Sequence, residues 1–212
     1  GDFLTVFDPE QHLSTNWSKH YGSALIFGRI WQNLRLNSVL AKEMSTTGAE
    51  FDVADSVFNM VLNRLSTPCS KIKLQPWQDT VYGINQYSWF EYYRALDYVI
   101  AHKESIEKSL FDNMRDLFHQ SVDVVLFDTT TVVYYGEGAK GETLLAHGFS
   151  KARRSDLKQV VIGVIMSKQG IPLGHEVFEG NKNDLTCFKA IIDKISDRFK
   201  IGQVVLVGDR GM

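Results

Sequence analysis

Two aspartates each follow an apolar run that is typical of a buried strand. Asp128 ends the stretch "VDVVLFD", and Asp209 ends the stretch "QVVLVGD". Two carboxylates held close together repel each other unless one is protonated or a cation lies between them. Hard divalent ions such as Mg²⁺ prefer oxygen ligands, and a pair of such ions is a common device for phosphodiester chemistry. Both residues are therefore candidate metal ligands, although an Asp at a strand end is also a common turn or capping residue.

The elements after residue 121 predict how these aspartates meet. "VDVVLFDTTTVVYY" predicts a first strand, and "QVVIGVIMS" and "IPLGHEVFEG" predict two more strands joined by a short turn. "DLTCFKAIIDKISDRF" predicts a helix with Asp184 as its N-cap, and "QVVLV" predicts a fourth, wholly apolar strand. We expect a three-strand antiparallel meander, then a crossover helix that lays the fourth strand parallel to the first. Neighbouring strands lie about 4.8 Å apart, so Asp128 and Asp209 would then face each other.

Residues 22 to 120 have the apolar spacing of helices instead. In "SALIFGRIWQNLRL" the residues Ile26, Ile30 and Leu34 share one apolar face, and "KESIEKSLFDNMRDLFHQ" has a longer stripe with charges opposite. Between the helices, Pro68 and Pro76 predict a loop. The sequence thus predicts an α/β (α+β) protein. A helical region at 1–120, for DNA binding or dimerisation, precedes a mixed-sheet region at 121–212.

Composition and charge exclude several classes of protein. Hydrophobic residues make up 44% of the chain, which is enough to bury a core, and the formal net charge is −2. The whole chain therefore gives no basic signal for nucleic acid, and any such signal must be local. The two cysteines, Cys69 and Cys187, lack metal-type spacing and indicate reduced thiols in a cytosolic protein. No apolar run reaches the roughly 18 residues that span a bilayer.

One local basic cluster lies between the first two predicted strands. Residues 139–158 carry five cations against Glu142 and Asp156, a balance of 5 − 2 = +3. Such charges near a two-carboxylate site would hold DNA phosphates with salt-dependent affinity. A solvated hairpin loop is the alternative explanation. The five candidate DNA-binding residues are Lys140, Lys151, Arg153, Arg154 and Lys158.

Three stretches together resemble the insertion-sequence DDE transposases of the IS-four-like group. They are "VDVVLFDTTTVVYYGEG", "HGFSKARRSDLKQVVIGVIMSKQGIPLGHEVFEGNKND" and "VVLVGDRGM", and they occur in the family's order over residues 120 to 212. Over residues 22 to 120 the resemblance is looser. The family's catalytic core is ribonuclease-H-like, and its opening order is three strands, a helix and a fourth strand.

The resemblance implies roles for both aspartates. Asp128 matches the first catalytic Asp, which bridges two Mg²⁺ (or Mn²⁺) ions, and Asp209 matches the second. The implied activity is metal-dependent cleavage and strand transfer of double-stranded DNA at transposon ends and targets, in a cytoplasmic, nucleoid-associated protein that is a candidate homodimer. The third carboxylate is a Glu within a later Tyr-Arg-Glu-Lys pattern, and it has no counterpart in these 212 residues. We therefore expect the chain as given to be inactive.

Two other functions stay open. The stretches "VVLFDTTTV" and "VVLVGDRG" imitate a haloacid-dehalogenase-type phosphatase, whose first motif places an Asp nucleophile after an apolar strand. Against this, Thr130 stands where a second Asp would act as general acid. The other alternative is a DNA-binding or regulatory chain without catalysis.

Overall fold

The computed structural model describes residues 17–45, 47–118, 124–136, 138, 141, 143–149, 154–199 and 205–207. The chain divides into two compact units, residues 1–103 and residues 104–212. The first unit contains α1 (Gly22–Asn33), α2 (Leu36–Met44), α3 (Val53–Ser66), α4 (Lys71–Gln78) and α5 (Trp89–Ala101). The second contains α6 (Lys103–Phe118), β1 (Val124–Val133), β2 (Gln159–Ser167), β3 (Pro172–Glu179), α7 (Asp184–Phe199) and β4 (Val205–Val207). In the part that the structure describes, no helix is long and apolar enough to cross a membrane.

The second unit is built on a four-stranded sheet of order β3-β2-β1-β4. The predicted antiparallel meander of β1, β2 and β3 is confirmed, and it places Asp128 opposite Val164 and Val164 opposite His175. The short β4 lies parallel to β1, with Leu126 paired to Val207. Helix α7 therefore carries the chain from one edge strand to the other.

One face of this sheet is buried and the other is more open. Along β2 the burial alternates residue by residue, as expected for a strand with one covered face. Gly163 lies on the covered face, where an added Cβ would stand 2.7 Å from Ile191 Cδ1 of α7. The absence of a side chain there lets α7 approach the sheet closely. The buried core consists of Phe111, Phe127, Val161, Ile165, Leu173, Cys187 and Ile191.

Helix α6 belongs to the unit that contains the sheet. Its helical spacing had predicted that it belongs to the helical region 1–120. Glu107 of α6 is only 9% exposed, and its Oε1 accepts a 3.1 Å hydrogen bond from the His175 backbone N–H. The same oxygen lies 2.8 Å from His175 Nδ1. Helical periodicity reveals which face of a helix is buried but not against which partner. Long-range contacts to β3 therefore decide the membership of α6.

The N-cap of α7 is Asn183 and not Asp184, so that prediction was wrong. The Asn183 side chain accepts a 2.8 Å hydrogen bond from the Thr186 N–H, and the Asn183 carbonyl accepts one from the Cys187 N–H. Both groups are N-cap acceptors in the geometry of a helix start. Asp184 lies in the first turn, where a carboxylate still interacts favourably with the helix dipole.

The helical unit buries a different face of α1 from the one marked by Ile26 and Ile30. Those residues are 60% and 46% exposed, while Ala24 is buried and Phe27 packs beside it. Gly28 lies on the side of α1 that faces α3, where an added Cβ would make an ordinary 3.7 Å contact with the Phe58 ring.

Residues 71–78 form helix α4 although Pro76 predicted a loop there. The helix contains Pro76, and no side-chain cap bond from Ser70 supports its start. Tertiary contacts offset that cost, since Leu74 is fully buried and Gln78 is 4% exposed. The Gln78 side-chain amide donates a 2.8 Å hydrogen bond to the Tyr87 carbonyl and accepts a 2.9 Å hydrogen bond from the Tyr87 N–H.

A buried tyrosine joins three helices of this unit. Tyr92 of α5 is fully buried, and its hydroxyl donates 2.7 Å to Gln78 Oε1 of α4. The hydroxyl also accepts a 3.3 Å hydrogen bond from Asn59 Nδ2 of α3. Burial raises the pKa of Tyr92 to about 12, so the phenol stays protonated across the physiological range.

Candidate functional site

Asp128 lies in the middle of β1 on the open face of the sheet. Its neighbours Phe127 and Thr129 are each 3% exposed, whereas Asp128 and Thr130 are exposed. This alternation follows from the two-residue period of a strand. Asp128 Oδ1 accepts a 2.8 Å hydrogen bond from the Thr129 N–H. The carboxylate is thus held on a fixed backbone and faces solvent, where a cation or a substrate can reach it.

The buried neighbour of Asp128 anchors β1 to α7. The Thr129 hydroxyl donates a 2.6 Å hydrogen bond to Asp184 Oδ1 in the first turn of α7. This bond crosses from the sheet to the helix at the residue beside the candidate ligand. The sequence predicts Asp184 as a helix cap, and nothing in its local pattern marks it as a partner of β1.

The pairing of β1 with β4 brings the two candidate strands together. Three pairs define the register, and the last described pair is Leu126 with Val207. Asp128 stands two residues after Leu126 in the sequence, and Asp209 stands two residues after Val207. Asp209 itself lies outside the described residues.

In the described part of the chain, Asp128 belongs to no cluster of three or more potential metal ligands. Among those residues, no group of three or more His, Cys, Asp or Glu side chains is close enough to hold a metal ion. A metal site at Asp128 therefore depends on Asp209 and on further ligands such as water, because a lone carboxylate binds divalent ions weakly.

Of the five candidate DNA-binding residues, the structure describes two. Lys140, Lys151 and Arg153 lie outside the described residues. Arg154 is engaged within the chain, since its Nε and Nη2 atoms donate 2.8 and 2.7 Å hydrogen bonds to the two oxygens of Asp156.

The pairing of Arg154 with Asp156 alters both groups electrostatically. Their hydrogen bonds raise the pKa of Arg154 and lower the pKa of Asp156. Both side chains are exposed, so the pair contributes little to stability. Its consequence is local, because a guanidinium already bonded to a carboxylate attracts phosphate less strongly than a free one.

Lys158 lies at the end of the basic segment, beside the sheet. Its carbonyl accepts a 2.8 Å hydrogen bond from the Tyr134 N–H and so extends the β1–β2 pairing by one step. The Lys158 backbone is therefore fixed at the end of the sheet.

The segment 144–149 is docked on the end of the sheet, a feature that sequence reasoning missed. Ala146 and Gln159 pair in antiparallel fashion through two backbone hydrogen bonds of 3.2 and 3.0 Å. The Gly180 N–H donates a third hydrogen bond, of 3.0 Å, to the Leu144 carbonyl. Gly148 permits this docking, because an added Cβ would lie 2.0 Å from the Gly180 oxygen. The only signal in the sequence was the pair of glycines, which gives no hint of their proximity.

The helical unit contains a cavity of about 460 Å³. Its lining combines aromatic rings with charged and amide side chains, including Arg29, Trp31, Asn37, Asp55, Phe58 and Tyr82. Asp55 is held by hydrogen bonds from Tyr87 Oη at 2.8 Å and from Asn85 Nδ2 at 3.0 Å. These residues come from separate stretches of the sequence, and no motif marked them as neighbours.

No protein-family model matches the chain, and no curated protein or solved structure matches it. A functional assignment therefore rests on the residues of the chain itself. The observations that bear on it are the exposed carboxylate of Asp128, the strand pairing beside it, and the docked segment at the end of the sheet.

Proposed function

We propose that the chain carries two carboxylates of a metal-dependent DNA phosphoryl-transfer site of the DDE transposase type, on a ribonuclease-H-like sheet. The single observation that supports this most strongly is the parallel register of β1 and β4. If that register continues for two residues beyond Leu126 and Val207, Asp209 stands beside Asp128. The proposal has a second support, which is the resemblance of three sequence stretches to the insertion-sequence DDE transposases.

Carboxylate oxygens are the ligands that hard divalent ions such as Mg²⁺ or Mn²⁺ prefer. Asp128 offers a solvent-facing carboxylate, and Asp209 would supply a second. When bound, such an ion would activate a water molecule and offset the charge that develops on the phosphoryl oxygens.

A hydrogen bond beneath the proposed site holds Asp128 in position. The hydrogen bond between Thr129 and Asp184 ties β1 to α7, so the backbone beneath Asp128 is held from its buried side. A ligand on a strand that is anchored in this way keeps its geometry better than one on a loop. Lys140, Lys151, Arg153 and Lys158 would attract the DNA backbone in this proposal, with a smaller contribution from the paired Arg154.

Binding of Mn²⁺ tests the site directly. We expect isothermal titration of the chain with Mn²⁺ to show binding that Asp128→Asn and Asp209→Asn each weaken roughly tenfold or more, since each removes a charged ligand. Asp97→Asn is the matched control, because Asp97 is an exposed aspartate on α5 in the other unit. Unchanged Mn²⁺ affinity in Asp128→Asn would refute the site.

Catalysis requires a third carboxylate in the family that the chain resembles. Because the 212 residues offer no counterpart, we expect no Mg²⁺- or Mn²⁺-dependent nicking of supercoiled plasmid by this chain. Nicking that depends on Asp128 would contradict this expectation while supporting the metal site.

The phosphatase alternative predicts a different result. Thr130 stands in the general-acid position, and β1 leads into an antiparallel meander rather than into a helix. We therefore expect no phosphate release from p-nitrophenyl phosphate. A chain that binds DNA without any dependence on divalent ions would instead favour the non-catalytic alternative.

A further inference from the structure

We propose that the cavity of the helical unit binds a small zwitterion, a molecule that joins a primary ammonium group to a carboxylate or a phosphate. Asp55 and the aromatic rings of the cavity hold the ammonium group, and Arg29 holds the anionic group. This site lies within the helical unit alone and is independent of the metal site proposed at Asp128.

A chain of hydrogen bonds fixes Asp55 at the cavity wall. Its Oδ2 atom accepts hydrogen bonds from Tyr87 Oη at 2.8 Å and from Asn85 Nδ2 at 3.0 Å. The Asn85 carbonyl in turn accepts a 2.8 Å hydrogen bond from Asn59 Nδ2, which also donates to Tyr92 Oη. Asn59 and Tyr92 are fully buried, so the carboxylate is held from inside the unit. Its Oδ1 atom accepts no side-chain hydrogen bond from the residues that the structure describes, and a ligand can bond it.

Two pairs of aromatic rings line the same cavity. The ring centres of Trp31 and Phe58 lie 5.4 Å apart, and those of Tyr21 and Tyr82 also lie 5.4 Å apart. Phe58 stands three residues after Asp55 on α3, so the two side chains share one side of the helix. Aromatic rings attract an ammonium ion through their quadrupole. A carboxylate and aromatic rings on one cavity wall therefore suit an organic cation.

Backbone contacts position the two tyrosines. The His20 N–H donates a 2.8 Å hydrogen bond to the Thr80 carbonyl, and the Tyr82 N–H donates a 2.9 Å hydrogen bond to the His20 carbonyl. Gly83 has a φ of +83°, and an added Cβ there would lie 3.1 Å from Tyr21 Cε2. Tyr21 and Tyr82 nevertheless stay 47% and 53% exposed. Rings that are fixed before binding and remain accessible reduce the entropy that binding costs.

Two opposite charges line the cavity without neutralising each other. Asp55 of α3 and the exposed Arg29 of α1 both contribute to its wall, yet neither forms an ion pair within the described part of the chain. A simple cation would leave the Arg29 charge without a partner, and a simple anion would meet the Asp55 carboxylate. A zwitterion complements both charges.

The size of the cavity agrees with a small ligand. Its volume is about 460 Å³. Sites for small molecules in proteins typically have volumes of about 300–1,000 Å³ and combine apolar walls with a few polar groups. The cavity is therefore large enough for a ligand that reaches both charges.

An NMR titration of the full chain tests the proposal. The probes are phosphoethanolamine and β-alanine, which join a primary ammonium group to a phosphate and to a carboxylate. Ethanolamine, acetate and inorganic phosphate are the matching half ligands. The amide signals of Gly28 and Gly83 report on the cavity, because both residues line it. We expect at least one zwitterion to shift these signals and to bind roughly tenfold or more tightly than its half ligands, since each charged hydrogen bond adds to the affinity.

The order of the two zwitterions identifies the anionic group. Tighter binding of phosphoethanolamine would assign a phosphate to Arg29, and tighter binding of β-alanine would assign a carboxylate. Either order supports the proposal, provided that the half ligands bind more weakly.

Two variants separate the two halves of the site. Arg29→Gln should weaken the zwitterion roughly tenfold and leave ethanolamine unchanged, whereas Asp55→Asn should weaken both. Arg64→Gln is the matched control, because Arg64 is an exposed arginine of α3 that does not line the cavity. Asp55 belongs to a buried network, so circular dichroism would check the fold of Asp55→Asn. Arg29 is exposed, and its variant should fold normally.

Three results would overturn the proposal. The first is the absence of any shift at Gly28 and Gly83 with all five probes. The second is a zwitterion that binds no more tightly than ethanolamine. The third is an affinity that Arg29→Gln and Asp55→Asn both leave unchanged. None of these results alters the Mn²⁺ titration, which measures a site in the other unit.

Discussion

The Thr129 hydroxyl donates a 2.6 Å hydrogen bond to the Asp184 carboxylate and so joins β1 to the start of α7. Thr129 is 3% exposed, which makes this a bond with limited access to water. It lies beside Asp128, the exposed carboxylate of the proposed site. The relationship couples the stability of the sheet to the geometry of that site.

Thr129→Val should destabilise the sheet unit by about 1–2 kcal/mol, because it keeps the shape but leaves the Asp184 carboxylate without this donor. Urea denaturation measures the change, and Thr129→Ser, which retains a hydroxyl, is the control and should lose less. If Mn²⁺ binds at Asp128, Thr129→Val should also weaken that binding. A variant as stable as the wild type would show that the bond is energetically neutral.

Gly148→Ala should detach the segment 144–149 from β2. Its Cβ would lie 2.0 Å from the Gly180 carbonyl oxygen, so the backbone must move, at a cost of about 1–3 kcal/mol. Hydrogen exchange should show faster exchange of the Ala146 and Gln159 amides. Gly22→Ala is the control, since an added Cβ there meets nothing within 4 Å. Wild-type protection in Gly148→Ala would disprove the docked segment.

Tyr92→Phe should reduce the stability of the helical unit and change its response to alkaline pH. The variant removes the hydroxyl that bonds Gln78 and Asn59, which costs about 1–2 kcal/mol. The pKa of Tyr92 is raised to about 12, so the neutral phenol favours the folded state. This contribution is complete below pH about 10 and is lost as pH rises through about 12.

Melting midpoints between pH 9 and 12 would measure this effect. The decline with pH should be shallower in Tyr92→Phe than in the wild type. A residual slope should remain, because burial and then the hydrogen bond to Asp55 raise the pKa of Tyr87 as well. Equal slopes in the two proteins would contradict the assignment to Tyr92.

Phe111→Ala should destabilise the unit that contains the sheet. Phe111 of α6 is 5% exposed within the core of that unit, and truncating such a ring costs about 3–5 kcal/mol. Amide exchange should accelerate at Val161 of β2 and stay unchanged at Leu62 of α3. Phe90→Ala, at an exposed position, should change stability by no more than about 0.5 kcal/mol. If amide exchange accelerated at Leu62 alone, the assignment of α6 to the sheet unit would be contradicted.

Much of the sheet region could be predicted from local pattern. Alternating burial along β2 and the change from helical to strand spacing follow from side-chain geometry, so the meander and the helix after it were visible in the residues. The exposure of Asp128 between two buried residues has the same origin. These features depend on neighbours in sequence, which is what periodicity reports.

Other features were decided by partners far apart in the chain. Pro76 weakens a helix locally, yet buried Leu74 and the Gln78–Tyr87 bonds stabilise α4. Ile26 is exposed because the other side of α1, which carries Ala24 and Phe27, packs into the core of the helical unit.

The sequence by itself determined the strands, their order and the places where carboxylates end apolar runs, because a strand imposes its two-residue period on its own residues. Only the tertiary structure decided that α6 packs on the sheet through Glu107 and that Asp184 bonds Thr129. It also decided that Gln159 anchors Phe149. Each of these is a contact between distant segments, and its free energy arises from burial and hydrogen bonding that exist only after the chain has folded.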